Sequence, residues 1–199
     1  FSRQVNIVIL GSGKGTNAHA ILDASKKGKL GKAKVKAVLS DISDAPILKI
    51  AESFSVPTKL MGLSTNNSKI SSDDAKQLIE MINEFNATIV VLAGFMKILP
   101  INFIEFFQGR IVNIHPSLLP SFKGLHAIKR AYERGVKISG CTVHWVSEGI
   151  DEGKIIAQSP VRIFETDTLE SFTQKIHAAE HYLLPTVIAE LSNSNEYRQ

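Results

Sequence analysis

The chain has 199 residues, of which 44% are hydrophobic and 21% charged, and a formal net charge of +4. This mixture is that of a packed globular protein, and the length suits one hydrophobic core. Cys141 is the only cysteine, which excludes an intrachain disulfide. With no signal peptide and no apolar run near the ~20 residues of a membrane-spanning helix, the sequence favours a cytoplasmic protein without a membrane partner.

Predicted strands and helices alternate through the first half of the chain. The predicted strands are apolar runs at residues 5–10, 34–39, 56–60, 88–93, 110–114, 140–146 and 154–163. The predicted helices cover residues 16–27, 45–54, 73–85, 101–107, 127–134 and 168–191. This order predicts an α/β fold: a Rossmann-like, mostly parallel twisted sheet flanked by helices, with a mixed C-terminal part and a long C-terminal helix.

A cluster of lysines follows the first predicted helix: Lys26, Lys27, Lys29, Lys32, Lys34 and Lys36. Such a cluster is typical of a surface for an anionic partner or of a solvated helix end and turn. No aromatic residue is interleaved with these lysines, as binding to a single nucleic acid strand would require. The sequence therefore favours the solvated turn and no nucleic acid partner.

The segment GSGKGTN, residues 11–17, follows the first strand and opens a helix. Glycines there let a phosphate approach the free N–H groups at the helix start. A P-loop would need glycine in place of Val8 and Ser or Thr in place of Gly15, and a dinucleotide fingerprint would need glycine in place of Thr16. The pattern predicts a site for a monophosphate; the alternative is a tight turn without a ligand.

Three polar residues form a candidate catalytic group. Asn113 and His115 lie two residues apart at the carboxyl end of a buried strand, where open α/β sheets bind ligands. Their N–H groups could grip one developing oxyanion, and Asp151, in a later loop, could orient or charge the imidazole. The alternatives are a turn asparagine, a packing histidine and a surface acid.

Five segments in order carry a resemblance: SGKGTN, VVLAGFMKIL, NIHPSLLPSFKGLHA, CTVHWVSEGIDEGKII and HAAEHYLLP. Together they resemble the glycinamide ribonucleotide formyltransferase family over nearly the whole chain. The resemblance implies transfer of the formyl group of 10-formyltetrahydrofolate, a co-substrate, to the amine of glycinamide ribonucleotide in purine synthesis. It assigns catalysis to Asn113, His115 and Asp151, and it implies direct attack of the amine on the formyl carbon.

The same resemblance assigns the binding residues. The substrate would contact Gly13, Gly15, Thr16 and Asn17, with Glu180 on the ribose hydroxyls and His177 near the phosphate. The folate pocket would be formed by Leu92, Met96, Lys97, Ile98, Leu99, Asn113, Ser147, Glu148, Gly149 and Ile150; ordinary core packing is the alternative for Met96, Ile98 and Leu99. One domain over 1–199 would then have a phosphate-binding half, 1–100, and a catalytic and folate-binding half, 101–199.

Three positions depart from the family pattern. Lys154 stands where relatives usually have proline, and Lys97 replaces a frequent arginine. Ser71 or Ser72 stands where relatives often use an arginine on the folate. These departures affect the contacts to the folate tail.

A zinc-like pattern, H-x-x-E-H, occurs at His177, Glu180 and His181. On a helix, histidines at i and i+4 can share a face. Short patterns of this kind recur by chance and no third ligand accompanies this one, so the sequence predicts no metal.

Other functions fit parts of the pattern. A formyltetrahydrofolate hydrolase-like enzyme or a methionyl-tRNA formyltransferase would share the catalytic group but is expected to carry an extra domain and to lack the phosphate loop. A non-catalytic nucleotide- or folate-binding module would not need Asn113, His115 and Asp151 together. The partners expected are small molecules, and the chain is expected to be a monomer or homodimer.

Overall fold

The computed structural model describes residues 4–64 and 66–194. Within these residues, seven strands form the sheet: β1 (Val5–Leu10), β2 (Ala33–Ser40), β3 (Thr58–Leu60), β4 (Ile89–Leu92), β5 (Ile111–His115), β6 (Ile138–Trp145) and β7 (Ile155–Arg162). The same residues contain six helices, which flank the sheet: α1 (Thr16–Lys26), α2 (Pro46–Ser53), α3 (Ser72–Asn83), α4 (Ile101–Phe106), α5 (Ala127–Arg134) and α6 (Leu169–Asn193).

The strands are ordered β3-β2-β1-β4-β5-β6-β7 in a single sheet. The first five of these are parallel, whereas β6 pairs antiparallel with β5 and β7 antiparallel with β6. This arrangement confirms the predicted α/β class with a mostly parallel sheet, a mixed C-terminal part and a long last helix.

Both faces of the sheet are covered, which explains why the first strand is a continuous apolar run. Ile7 and Ile9 of β1 face a core shared with α1, α2 and α6. Val8 and Leu10 alternate to the opposite face, where they pack with α3 and α4. In residues 4–64 and 66–194, no helix combines the length and apolarity needed to cross a membrane.

The strand order brings three carboxyl ends together. The chain runs outward from β1 to β2 and β3, then returns to β4 on the other side of β1. The loops after β1 and β4 therefore flank the crevice in which open α/β sheets bind ligands. The end of β5 adjoins them, so the glycine turn, residues 93–99 and His115 share one edge of the sheet.

The packing of α4 against the sheet provides a test of this core. The Phe103 side chain is fully buried against α3 and β4, whereas that of Phe106, on the same helix, is 47% exposed. We expect Phe103→Ala to lower the free energy of unfolding by about 3–5 kcal/mol, because it removes a buried ring and leaves a cavity. Phe106→Ala, the matched control, should cost less than half as much in urea denaturation. Equal losses would contradict this packing.

Candidate active site

The glycine turn after β1 is fixed by close packing on one side and open on the other. Gly15 has a left-handed backbone with φ of 76°, and a Cβ there would lie 2.7 Å from the Cα of Ile47. Any other residue would be strained at this position. A Cβ on Gly13 would meet nothing within 4 Å, so this part of the turn faces open space. The turn thus exposes its backbone.

The first turn of α1 is free to receive an anion. Its N-cap is Gly15, no side chain caps it, and it contains no acidic residue. The first helical bond runs from His19 N to Gly15 O at 2.8 Å. The amides before that bond lack intrahelical partners, and with the helix dipole they form an anion site.

A second side of this region comes from α6. The Glu180 side chain is buried, and burial raises its pKa to about 7 although the nearby Asn17 amide opposes the shift. Burial, together with the Lys14 ammonium, lowers the pKa of His177. α6 therefore places Glu180 beside Asn17 and His177 near Lys14, as expected for residues of one site.

His181 is a residue that the sequence offered only as part of the metal pattern. Its Nε2 atom is buried and has no hydrogen-bond partner among the described residues. The residue lines a cavity of about 660 Å³ together with Thr16 and His19. Burial, then the neighbouring His177 and His19, lower its pKa. A buried nitrogen without a partner next to the helix start is a further candidate contact for an anion.

The metal pattern itself forms no cluster. The His177 and His181 rings stack with centroids 6.4 Å apart. In the part of the chain that the structure describes, no group of three or more His, Cys, Asp or Glu side chains is arranged to hold a metal ion. The three residues of the pattern instead lie on α6 close to Lys14 and the first turns of α1.

His115 and Asp151 are in direct contact at the end of β5. The Nδ1 atom of His115 lies 3.2 Å from Oδ2 of Asp151, and both side chains are almost entirely buried. The Nε2 atom donates a hydrogen bond to the Phe122 carbonyl at 2.8 Å. Both partners are acceptors, so both contacts are hydrogen bonds only when the ring carries two N–H groups.

Asp151 lies in the loop between β6 and β7 and has a left-handed backbone, with φ of 53°. Its Oδ2 atom also accepts the backbone N–H of Gly124 at 2.8 Å. Its Oδ1 atom lies 3.6 Å from Nε2 of His144. One carboxylate therefore joins the end of β5, the loop at residues 116–126 and strand β6.

His144 was not singled out from the sequence, yet it completes this group. Its Nδ1–H donates to the Trp145 carbonyl at 3.0 Å. Burial lowers its pKa, and the Trp145 carbonyl and Asp151 carboxylate offset only part of that shift. The ring is therefore neutral at pH 7, and its contact with Asp151 is not a salt bridge there. The sequence signal that could have identified His144 is a polar residue within the apolar run of β6.

Asn113 lies directly across from His144 in the antiparallel pair of β5 and β6. Its Nδ2 is 3.5 Å from Nε2 of His144, a long and weak hydrogen bond. The amide N–H groups of Asn113 are thus available to a ligand. The structure places Asn113, His115 and Asp151 in one connected cluster through His144.

The residues assigned to the folate fall into three groups. Leu92 and Leu99 are buried in the core, which is what the packing alternative expected of Leu99. Met96 and Ile98 are 66% and 44% exposed on the rim of the same loop, and Ile150 is also exposed. Ser147 and Glu148 line a cavity of about 580 Å³ with Ile104 and Val146. Gly149 lies beside Glu152, whose carboxylate a Cβ there would strike.

Lys97 points into the protein. Its Nζ donates to the Asn67 carbonyl at 2.8 Å and lies 3.9 Å from the Asp41 carboxylate, with the side chain only 13% exposed. The ammonium group thus holds the loop around Asn67 against residues 93–99. It supports the pocket rather than lining the cavity beside Ser147.

Comparison with known proteins adds an independent finding. A family model described as "Formyl transferase" matches residues 5–188. Phosphoribosylglycinamide formyltransferase of Escherichia coli (strain K12) is 40% identical over 185 residues, which cover 93% of this chain and 86% of that protein. The trifunctional purine biosynthetic protein adenosine-3 of Gallus gallus is 37% identical over 94% of this chain, which spans only 18% of that protein's length.

A solved structure agrees with the sequence matches. The crystal structure of glycinamide ribonucleotide transformylase 1 from Symbiobacterium toebii superposes with a TM-score of 0.88 at 38% identity. The superposition covers 96% of this chain and 88% of that one. The fold, the nearly full-length family match and the identities agree, and the chain belongs to the formyl transferase family.

Proposed function

We propose that this protein transfers the formyl group of 10-formyltetrahydrofolate to the amine of 5'-phosphoribosylglycinamide, giving formylglycinamide ribonucleotide in de novo purine biosynthesis. The observation that carries the proposal is the cluster of Asn113, His115, His144 and Asp151 on the same sheet edge as an open phosphate turn. The name of the Escherichia coli relative, at 40% identity, supports formyl transfer to this nucleotide, and that of the Gallus gallus relative, at 37%, supports purine biosynthesis. The lone, buried Cys141 suits the cytosol, where we place the reaction.

The nucleotide would bind along α1 and α6. Its phosphate would accept hydrogen bonds from the free amides in the first turn of α1, and the side chains of His177 and His181 would support it. The Glu180 carboxylate would accept the ribose hydroxyls, and Asn17 would hold it in place. A phosphate favours the protonated form of both histidines, which offsets their lowered pKa values.

The formyl donor would bind on the other side of the crevice. Its flat pterin ring would bind in the cavity between α4 and residues Val146 to Glu148, whose walls combine apolar side chains such as Ile104 with polar ones such as Gln108 and Ser147. The buried side chains of Leu92 and Leu99 would support that cavity from below. The formyl group would then reach Asn113 and His115 at the centre of the crevice.

The reaction would proceed by attack of the substrate amine on the formyl carbon. The negative charge that develops on the formyl oxygen would be stabilised by hydrogen bonds from the Asn113 amide and the His115 Nε2–H. To donate to this oxygen, the Nε2–H would give up its hydrogen bond to the Phe122 carbonyl. Asp151 would orient the His115 ring through its contact with Nδ1. Collapse of the intermediate breaks the bond to the folate nitrogen, which takes up the proton lost by the amine through Asp151 and water.

The acceptor distinguishes this proposal from its rivals. We expect purified protein to form folate product with glycinamide ribonucleotide at least about 100 times faster than with water alone, since binding aligns the amine with the formyl carbon. Product formation would be followed spectrophotometrically with and without the nucleotide. Equal rates would indicate a hydrolase, and tight folate binding without turnover would indicate a binding module.

Asp151→Asn tests the carboxylate. Asparagine keeps an acceptor for the Gly124 N–H but removes the charge opposite His115. We expect kcat to fall by about 10²–10⁴-fold with an unchanged fold by circular dichroism. The control is Glu152→Gln, an exposed neighbour that pairs with Lys123, and it should change kcat by less than about twofold. Full turnover in Asp151→Asn would refute the role.

Glu180→Gln tests the proposed ribose contact through the pH dependence of the nucleotide KM. Burial raises the pKa of Glu180 to about 7, and ribose hydroxyls bind its ionised form better. Affinity should therefore be lost as pH falls through 7, by up to about tenfold per pH unit. Glutamine does not titrate, so the ratio of the variant's nucleotide KM to that of wild type should be largest near about pH 9 and shrink toward about pH 6.

Both proteins retain His177 and His181, so the titration of those histidines cancels in the ratio. The KM for the folate serves as the internal control and should be the same in both proteins at each pH. A KM ratio that stays constant across the range would contradict the contact.

A further inference from the structure

The lysine segment at residues 23–36 holds the positive charge of the whole chain. It contains six lysines and one acid, Asp23, and so has a formal charge of +5, whereas the entire chain has +4. The rest of the chain therefore carries a formal charge of −1. A charge concentrated in this way on one surface attracts an anionic partner.

Most of these lysines have no partner within the protein. Lys27 is paired with Asp23 at 2.6 Å. Among the described residues, no hydrogen bond or ion pair is formed by the ammonium groups of Lys29, Lys32, Lys34 and Lys36. These charges are free to meet an external anion.

The cavity of about 660 Å³ between α1, α2 and α6 reaches this segment. Because α1 spans 11 residues, the cavity extends roughly 16 Å from Thr16, at the phosphate turn, to Lys27 and Lys29 beyond the end of the helix. Between these two ends, the cavity has an apolar wall formed by Ala20, Ala24, Ile50 and Pro185. An apolar recess thus opens beside unpaired cations.

Tyr182 lies on the same cavity and is unusually exposed. Its side chain is 72% exposed although it is aromatic, and it lines the cavity together with Thr186 on the next turn of α6. Tyrosine is enriched where interfaces concentrate their binding energy, in pockets surrounded by a polar rim. The recess with Tyr182 beside it and lysines around it has this anatomy.

The charge and the recess together select the kind of partner. A second copy of this chain would bring the same +5 segment to the surface, and the rest of the copy offers no excess of acid to match it. Nucleic acid fits less well, because residues 23–36 contain no arginine and one tyrosine cannot stack successive bases. An acidic polypeptide with an apolar side chain fits both features.

We propose that residues 26–36 and the adjoining end of the cavity between α1 and α6 form a docking surface for an acidic segment of another protein. Carboxylates of that segment pair with Lys29 and its neighbours, and an apolar side chain enters the recess against Ile50 and Tyr182. Lys29 follows the end of α1, at the edge of the sheet opposite to the catalytic cluster. The surface therefore takes no part in formyl transfer, and the inference does not depend on the proposed function.

The test compares two fluorescent polymers of equal length, poly-L-glutamate and a copolymer of glutamate and tyrosine, by anisotropy below about 0.1 M ionic strength. We expect the copolymer to bind wild type about ten times more tightly, because its rings fill the recess. Tyr182→Ala should remove that advantage and leave the binding of poly-L-glutamate unchanged. Lys29→Glu should weaken both polymers about tenfold, and Lys29→Gln should weaken both by less.

Two matched controls separate this surface from general charge and general stickiness. Lys76→Glu changes the net charge as Lys29→Glu does, but on the exposed face of α3. Ile138→Ala removes another exposed apolar side chain, which is 61% exposed at the start of β6. Both controls should bind the two polymers as wild type does, and equal losses in a control and its test variant would overturn the proposal.

Three further results would also overturn it. The first is that wild type binds neither polymer. The second is that single-stranded or duplex DNA of equal charge binds more tightly than the copolymer, which would indicate a nucleic acid surface. The third is that glycinamide ribonucleotide displaces the copolymer, which would place the polymer at the phosphate end of the cavity instead of at the lysines.

Discussion

The site depends on one buried carboxylate. Asp151 contacts His115 at the end of β5, the backbone N–H of Gly124 in the next loop and the His144 ring on β6. The His115 and Gly124 N–H groups both donate to its Oδ2 atom, and a buried charge without such donors would cost several kcal/mol, so the carboxylate and these two segments hold one another in place. Asp151 reaches them from a left-handed backbone conformation that residues other than glycine rarely adopt. The conformation of the β6–β7 loop therefore determines where the negative charge of the site lies.

A second constraint is the order of the strands. β1 lies beside β4, so the Oγ of Ser12 after β1 accepts the backbone N–H of Met96 after β4 at 2.9 Å. The turn proposed for the phosphate and the loop proposed for the folate thus share a hydrogen bond. Holding two reactants in fixed positions removes much of the entropic cost of bringing them together, and this shared bond fixes the two loops relative to each other.

The sequence predicted those features that residues close together in the chain determine. The apolar run at residues 5–10 is buried on both faces, and its predicted and observed bounds agree. The contact of His144 with Asn113 arises from the antiparallel register of β5 and β6, which no local pattern specifies. The inward direction of Lys97 depends on Asp41, far away in sequence. Family resemblance could name a residue at such a position, but only the packing shows whether its side chain is free.

Four ionisable groups of the crevice share a further property: burial works against their charged forms. It raises the pKa of Glu180 and lowers those of His144, His177 and His181. These four groups carry less charge than their residue types suggest, which limits the cost of burying them. A phosphate next to the α6 histidines would reverse their shift, and ribose hydroxyls would do the same for Glu180. His144 would stay neutral, which leaves His115 as the ring that donates to the Asp151 carboxylate.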